Sequence, residues 1–238
     1  MTYVIRLLAL IAMSAHAYAD ADLTADLNAI NPNCISSTAQ TKRVTHYMIP
    51  LLGSYNNKIC DVIEGTCIYL KNGVQYIHNV GHADVPVAQS TCKNGWGNKH
   101  NCLHPCRNLA ASMKYHKFGQ IVYIPELVGM KCGNMRRDGF EMIHDGYMIV
   151  MDTGSPNYFN APGRFDFFWG RCANQSSGSC NEGAIPISDK ITKSDYCTVW
   201  DPSKPTVNAG FKQAFIRQMQ AEDHARGDDG AAADLQNL

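Results

Sequence analysis

The sequence predicts a mainly β domain, a barrel with long disulfide-bonded loops and a C-terminal amphipathic helix, on three observations. Short apolar runs of strand length recur between Val44 and Trp200, separated by Gly, Pro, Asn and Asp. Ten cysteines, an even number, all lie beyond residue 33. Near the end of the chain Phe211, Phe215 and Met219 recur four residues apart, with Lys212, Gln213 and Arg217 between them, which is the period of a helix with one apolar face.

Taken in order, residues 1–19 carry Arg6, an apolar core from Leu7 to Met13 and small residues at Ala17 and Ala19. That pattern reads as a secretory signal peptide cleaved near Ala19. The segment is too short for a stable membrane span, no later stretch approaches that length, and Cys34 lies too far along to be a lipobox cysteine. A secreted or periplasmic monomer is expected. Residues 20–43 form a polar N-terminal extension, partly helical, that Cys34 pins to the body. Strand-like runs follow at Val44–Ile49, Cys67–Leu70, Val74–Asn79, Gln120–Glu126, Tyr147–Met151, Phe165–Phe168 and Tyr196–Trp200, within a barrel domain of residues 44–205. Residues 206–220 hold the helix, and the Asp-, Gly- and Ala-rich residues 221–238 read as a disordered tail.

An even cysteine count in an exported chain argues for disulfides, five at full complement. Cys60 with Cys67 and Cys172 with Cys180 are spaced to close small loops, and the remaining pairings stay open. Cys92, His100, Cys102, His104 and Cys106 raise a zinc site as the alternative. Export favours oxidation, however, and the spacing matches no common zinc pattern. No nucleotide, flavin or metal motif is present, so no cofactor is expected. The 21 basic and 21 acidic residues balance, which argues against nucleic acid or a strongly anionic surface as partner.

The chemistry-bearing residues concentrate between His144 and Gly170, where Asp145, Asp152 and Asp166 stand among strand-like apolar and aromatic runs. Asp152 ends the run Tyr147–Met151 and opens Asp-Thr-Gly. Asp166 lies inside an aromatic strand, between Phe165 and Phe167. An ionised carboxylate taken out of water costs several kcal/mol, so Asp166 needs a partner, a raised pKa or a solvated cleft.

These pieces carry a resemblance. Thr45-His46-Tyr47, Cys106 to Ala111, Ile121 to Leu127, His144-Asp145-Gly146, Asp152-Thr153-Gly154 and Arg164 to Gly170 together are similar to the three-aspartate domain. That domain is a double-psi β-barrel shared with the membrane-bound lytic transglycosylase A family. The best-matching part covers about residues 106–170. Two departures stand out. Ala110-Ala111-Ser112-Met113 occupies the place of the family's first aspartate, and the loop Ser155–Gly163 is longer, more aromatic and stiffened by two prolines.

The resemblance implies an enzyme that cleaves the β-1,4 bond between N-acetylmuramic acid and N-acetylglucosamine in peptidoglycan. Asp166 matches the position that acts first as acid and then as base toward the sugar's own 6-hydroxyl. A hydrolytic, lysozyme-like route needs a second carboxylate. Asp152 suits that role, placed to stay ionised, and Glu141, in the apolar context Phe140-Glu141-Met142-Ile143, is a candidate acid. Glu141, Asp152 and Asp166 are therefore the candidate catalytic residues, and Asp145, Thr153, Gly154, Tyr158 and Trp169 the candidate substrate contacts. The alternative is a non-catalytic wall-binding double-psi module, favoured by the lost aspartate and the rewritten loop.

Overall fold

A computed structural model describes residues 32–235 except 42, 64, 99–100, 135–139, 155–156 and 173–193. The signal-peptide reading therefore lies outside the described residues. Among the described residues twelve strands form, β1 Ser36–Thr41, β2 Arg43–Leu52, β3 Thr66–Lys71, β4 Val74–Asn79, β5 Val85–Pro86 and β6 Asn108–Ala111, followed by β7 Ile121–Tyr123, β8 Lys131–Asn134, β9 Phe140–Ile143, β10 Tyr147–Thr153, β11 Arg164–Cys172 and β12 Ser194–Trp200. Two helices close the chain, α1 Ala209–Ala225 and α2 Asp229–Asp234. Among the described residues no helix is long and apolar enough to cross a membrane.

Ten strands make one mixed sheet in the order β1-β12-β7-β10-β6-β11-β2-β3-β4-β5, and β8 pairs with β9 as a separate hairpin. The chain is mainly β with a C-terminal helix and disulfide-bonded loops, as the sequence pattern predicts. Two parallel pairs, β10 with β6 and β11 with β2, are set among antiparallel neighbours. Val44, Leu109, Ala111, Val122, Met148, Val150, Phe165, Phe167 and Tyr196 converge on one core cluster, so six strands turn their inner faces to a common centre as barrel strands do. The outer face of the sheet is covered twice. Helix α1 packs Phe211, Phe215 and Met219 against Ile121, Ile149 and Trp200. The β3-β4 layer packs Ile68 and Ile77 against Ile49, Leu103 and Phe168.

Four bridges between described residues pin the loops: Cys34–Cys197, Cys60–Cys67, Cys92–Cys102 and Cys106–Cys132. Cys172 is disulfide-bonded as well, while Cys180 lies outside the described residues. The cysteines of the zinc alternative are thus consumed as two disulfides, and His104 is held by Asp223 at 2.6 Å. Cys34 fastens the N-terminal segment as expected, but that segment enters the sheet as β1 beside β12.

The disordered tail is a correction. Residues 221–235 continue α1 to Ala225 and then form α2, burying Asp223, Asp228, Ala231, Ala232 and Leu235. Low hydrophobicity misleads here because alanine is small enough to sit flush on the loop at residues 91–102. Gly230 lies so close to the Thr91 carbonyl that an added Cβ would come within 2.0 Å of it. The aspartates, in turn, find donors, for Asp228 accepts from Asn94 at 3.1 Å and Asp234 from the Cys102 amide at 2.9 Å.

Candidate active site

Strand β6 has no alternating pattern, only the four buried residues Asn-Leu-Ala-Ala, yet it organises the site. Its neighbours are β10 on one side and β11 on the other, and in register Ala110 lies beside Asp152 and also beside Asp166. With strands spaced about 4.8 Å apart, the two aspartate Cα atoms stand about 10 Å apart across one alanine.

Both carboxylates face the same side for different reasons. Phe165 and Phe167 point into the core, so strict alternation sends Asp166 outward. On β10 the same rule would send Asp152 inward, after Met148 and Val150. The register shifts between Val150 and Asp152, leaving Met151 as the extra residue of a β-bulge. The bulge turns Asp152 to the outer face, which is how bulges re-aim side chains.

Three donors hold Asp152. The Tyr47 hydroxyl donates to Oδ2 at 3.0 Å, and the Thr153 and Asn98 amides donate to Oδ1 at 2.8 and 3.1 Å. Asn98 also donates through Nδ2 to the Thr153 hydroxyl at 2.8 Å. Gly97 allows this approach, since a Cβ there would lie 2.6 Å from the Met151 carbonyl. Burial raises the Asp152 pKa, and the three hydrogen bonds work against the rise. Asp166 is less well served. Its Oδ1 is buried without a hydrogen-bond partner among the described residues. Burial first, then the charge of Asp152, pushes its pKa up to about 6, against the opposing effects of Thr45 and Arg164. The result is a carboxyl that keeps its proton up to about pH 6 beside a second carboxyl held by three donors.

The other sequence candidates are placed as follows. Thr153 joins the site through Asn98. Gly154 lets the ring of Phe159 pack on the backbone, because a Cβ would fall 1.6 Å from that ring. Tyr158 is 66% exposed with the Arg164 guanidinium 5.9 Å from its ring centre. The structure does not bring Glu141 to the aspartate pair. It lies on the β8-β9 hairpin, its side chain 39% exposed, paired with Lys131 at 2.9 Å. The apolar surroundings expected for it are absent because its strand alternates at the surface. Trp169 is likewise not a cleft residue, being 7% exposed in the core beside Phe167.

Asp145 is committed elsewhere too. Arg107, wholly buried, makes paired hydrogen bonds to Asp145 at 2.6 and 3.0 Å and to Glu222 of α1 at 2.5 and 2.9 Å. Gln218 donates to both carboxylates. Burial raises the Asp145 pKa, but the Arg107 charge more than reverses this and holds it at about 2. This cluster fastens α1 to the barrel.

Tyr47 and Asn98 are site residues that sequence reasoning missed. Tyr47 lies in a strand that the sequence predicts and Asn98 between Cys92 and Cys102, but nothing local indicates that either meets a residue more than fifty positions away.

No family model matches the sequence, and no curated protein matches it. Among solved structures the chain is similar to E. coli MltA with bound chitohexaose, at 8% identity and a TM-score of 0.41, covering 67% of this chain and 71% of that one. It is similar to LtgG, a lytic transglycosylase of Burkholderia pseudomallei, at 12% identity and a TM-score of 0.36 over 67% and 71% of the two chains. A membrane-bound lytic murein transglycosylase from Agrobacterium tumefaciens matches at 20% identity and a TM-score of 0.27, over 52% and 28%. At these scores the likeness bears neither on the activity nor on the site residues of this chain.

Proposed function

We propose that the protein cleaves the glycan strand of peptidoglycan by carboxylate acid/base catalysis, with Asp166 as the acid. The observation that carries this reading is the pair flanking Ala110. One carboxyl, with its pKa raised to about 6, has an oxygen unpaired among the described residues, and the other is held by Tyr47, Asn98 and Thr153. Divergent environments for two neighbouring carboxylates are what separate an acid from a charge stabiliser. The motif resemblance supplies the substrate class.

Asp166 gives its proton to the glycosidic oxygen as the bond to the anomeric carbon breaks. Ionised Asp152 stabilises the positive charge developing on that carbon. Asp166, now a carboxylate, takes a proton from the attacking hydroxyl. When that hydroxyl is the sugar's own 6-OH the product carries an anhydro end, and when it is water the product is a reducing end. The placement of Glu141 on an exposed hairpin argues against a hydrolytic route with Glu141 as the acid, and the motif resemblance favours the anhydro route.

Mass spectrometry of fragments released from purified peptidoglycan by the disulfide-intact protein tests this. Anhydro-ended fragments are expected, with release reduced at least 100-fold in Asp166→Asn and Asp152→Asn. Full release by Asp166→Asn would refute the assignment. Sedimentation with walls without any release would favour the binding-module reading.

A further inference from the structure

The β3-β4 layer has two faces. Ile68 and Ile77 turn toward the barrel. Alternation along the strands turns Tyr69, Tyr76 and His78 the opposite way, with Tyr69 and Tyr76 packed in a separate cluster with Leu52 and Ile59. On this far face lies a pocket of about 480 Å³ lined by Ser54, Tyr55, Tyr69, Lys71, His78 and Asp84, with Leu70 at its edge. That is the size range of small-ligand sites.

Its walls are held in place before any ligand arrives. His78 lies between two carboxylates, Nε2 at 2.6 Å from Asp61 and Nδ1 at 2.8 Å from Asp84. The Tyr69 hydroxyl donates to Asp84 at 2.5 Å, and the Tyr55 hydroxyl reaches both oxygens of Asp61 at 2.8 and 2.9 Å. The Tyr55 ring meets those of Tyr69 and His78 edge-on, at 5.4 and 5.0 Å between centroids. None of these residues touches the Asp152 and Asp166 site.

Two features select the ligand. Every carboxylate oxygen already has a polar neighbour at hydrogen-bond distance, since Asn57 also donates to Asp61. The lone pairs that remain suit single hydroxyl donors better than the several direct oxygen bonds a hard cation takes. Beside these acceptors, Tyr55 at 41% exposure leaves an aromatic ring uncovered, with Lys71 and Ser54 as donors in the lining. A pyranose ring, with C–H faces and a rim of hydroxyls, matches both. The geometry points to a second, non-catalytic glycan-binding site here, which holds sugar units of the polymer while another stretch lies in the cleft. That the polymer is peptidoglycan rests on the function proposed above.

The test uses the mature, disulfide-intact protein in two assays, sedimentation with purified peptidoglycan and NMR titration with chitotetraose. Tyr55→Ala should weaken sedimentation at least fivefold and remove chitotetraose-induced shifts at Tyr69, His78 and Asp84, leaving turnover of short soluble glycans unchanged. Asp84→Asn preserves shape and should weaken binding in the same direction, which guards against misfolding of the first variant. Unchanged wall binding in both variants, or shifts confined to the surroundings of Asp152 and Asp166, would overturn the proposal. Should the wild type release no fragments, the catalytic reading fails, while sedimentation and NMR still decide the pocket.

Discussion

Asp166 carries a cost that its function would explain. In the folded chain its carboxyl binds a proton more readily than at the ordinary value of 3.8, with its pKa raised to about 6. Its support for the fold is therefore complete below about pH 4 and is lost as pH rises through about 6. Asp166→Asn, which cannot ionise, should stabilise the protein by roughly 1–3 kcal/mol at pH 7 and by nothing near pH 3.5, read from urea unfolding at the two pH values. Equal stability of variant and wild type at pH 7 would show that burial does not strain this group. The charge of Asp152 contributes to the same rise. In Asp152→Asn the titration midpoint of Asp166, followed by carboxyl NMR, should move below its wild-type position. An unmoved midpoint would uncouple the pair.

At the level of strands and helices, the Arg107 cluster and the β8-β9 hairpin make opposite predictions. Arg107 is buried against Asp145 and Glu222, and removing it leaves two largely buried carboxylates without a counter-charge. Arg107→Ala should cost about 3–5 kcal/mol in a denaturant titration, whereas an exposed ion pair would cost almost nothing. The low pKa of Asp145, about 2, has the reverse sign from that of Asp166. Its contribution is present above about pH 4 and fades as pH falls toward 2. Glu141→Gln touches only the surface pair with Lys131 and should leave fragment release within about twofold of wild type. A large loss there would return Glu141 to the mechanism. The strands themselves were largely legible, because β2, β3, β4, β7, β10, β11 and β12 carry apolar runs that announce a buried face. Strand β6 was not, since Asn108-Leu109-Ala110-Ala111 earns its place from two flanking strands rather than from its own propensity.

Across the whole molecule, the last helix reaches the site indirectly. Helix α2 packs Ala231 against the Cys92–Cys102 bridge and Trp96, and Asp234 and Asp228 bond to residues of the same loop. That loop delivers the Asn98 amide to Asp152. Truncation after Gly227 should therefore lower turnover several-fold and raise hydrogen exchange in residues 92–102, with the core strands unaffected. Unchanged exchange in that loop would show that the disulfide holds it without help.

The disulfide bonding of the cysteines, the β character and the burial of Asp166 were readable from local pattern, since oxidation, strand burial and the cost of a charge between phenylalanines depend on neighbours in the chain. The meeting of Asp152 with Asp166 across Ala110 was not. It follows from a parallel and an antiparallel pairing that share one strand, and from one extra residue that turns Asp152 outward. The helical tail and the tyrosine-lined pocket on the β3-β4 layer belong to the same class. Alanines and polar side chains acquire a structure there because distant segments supply the packing surface and the donors they lack locally.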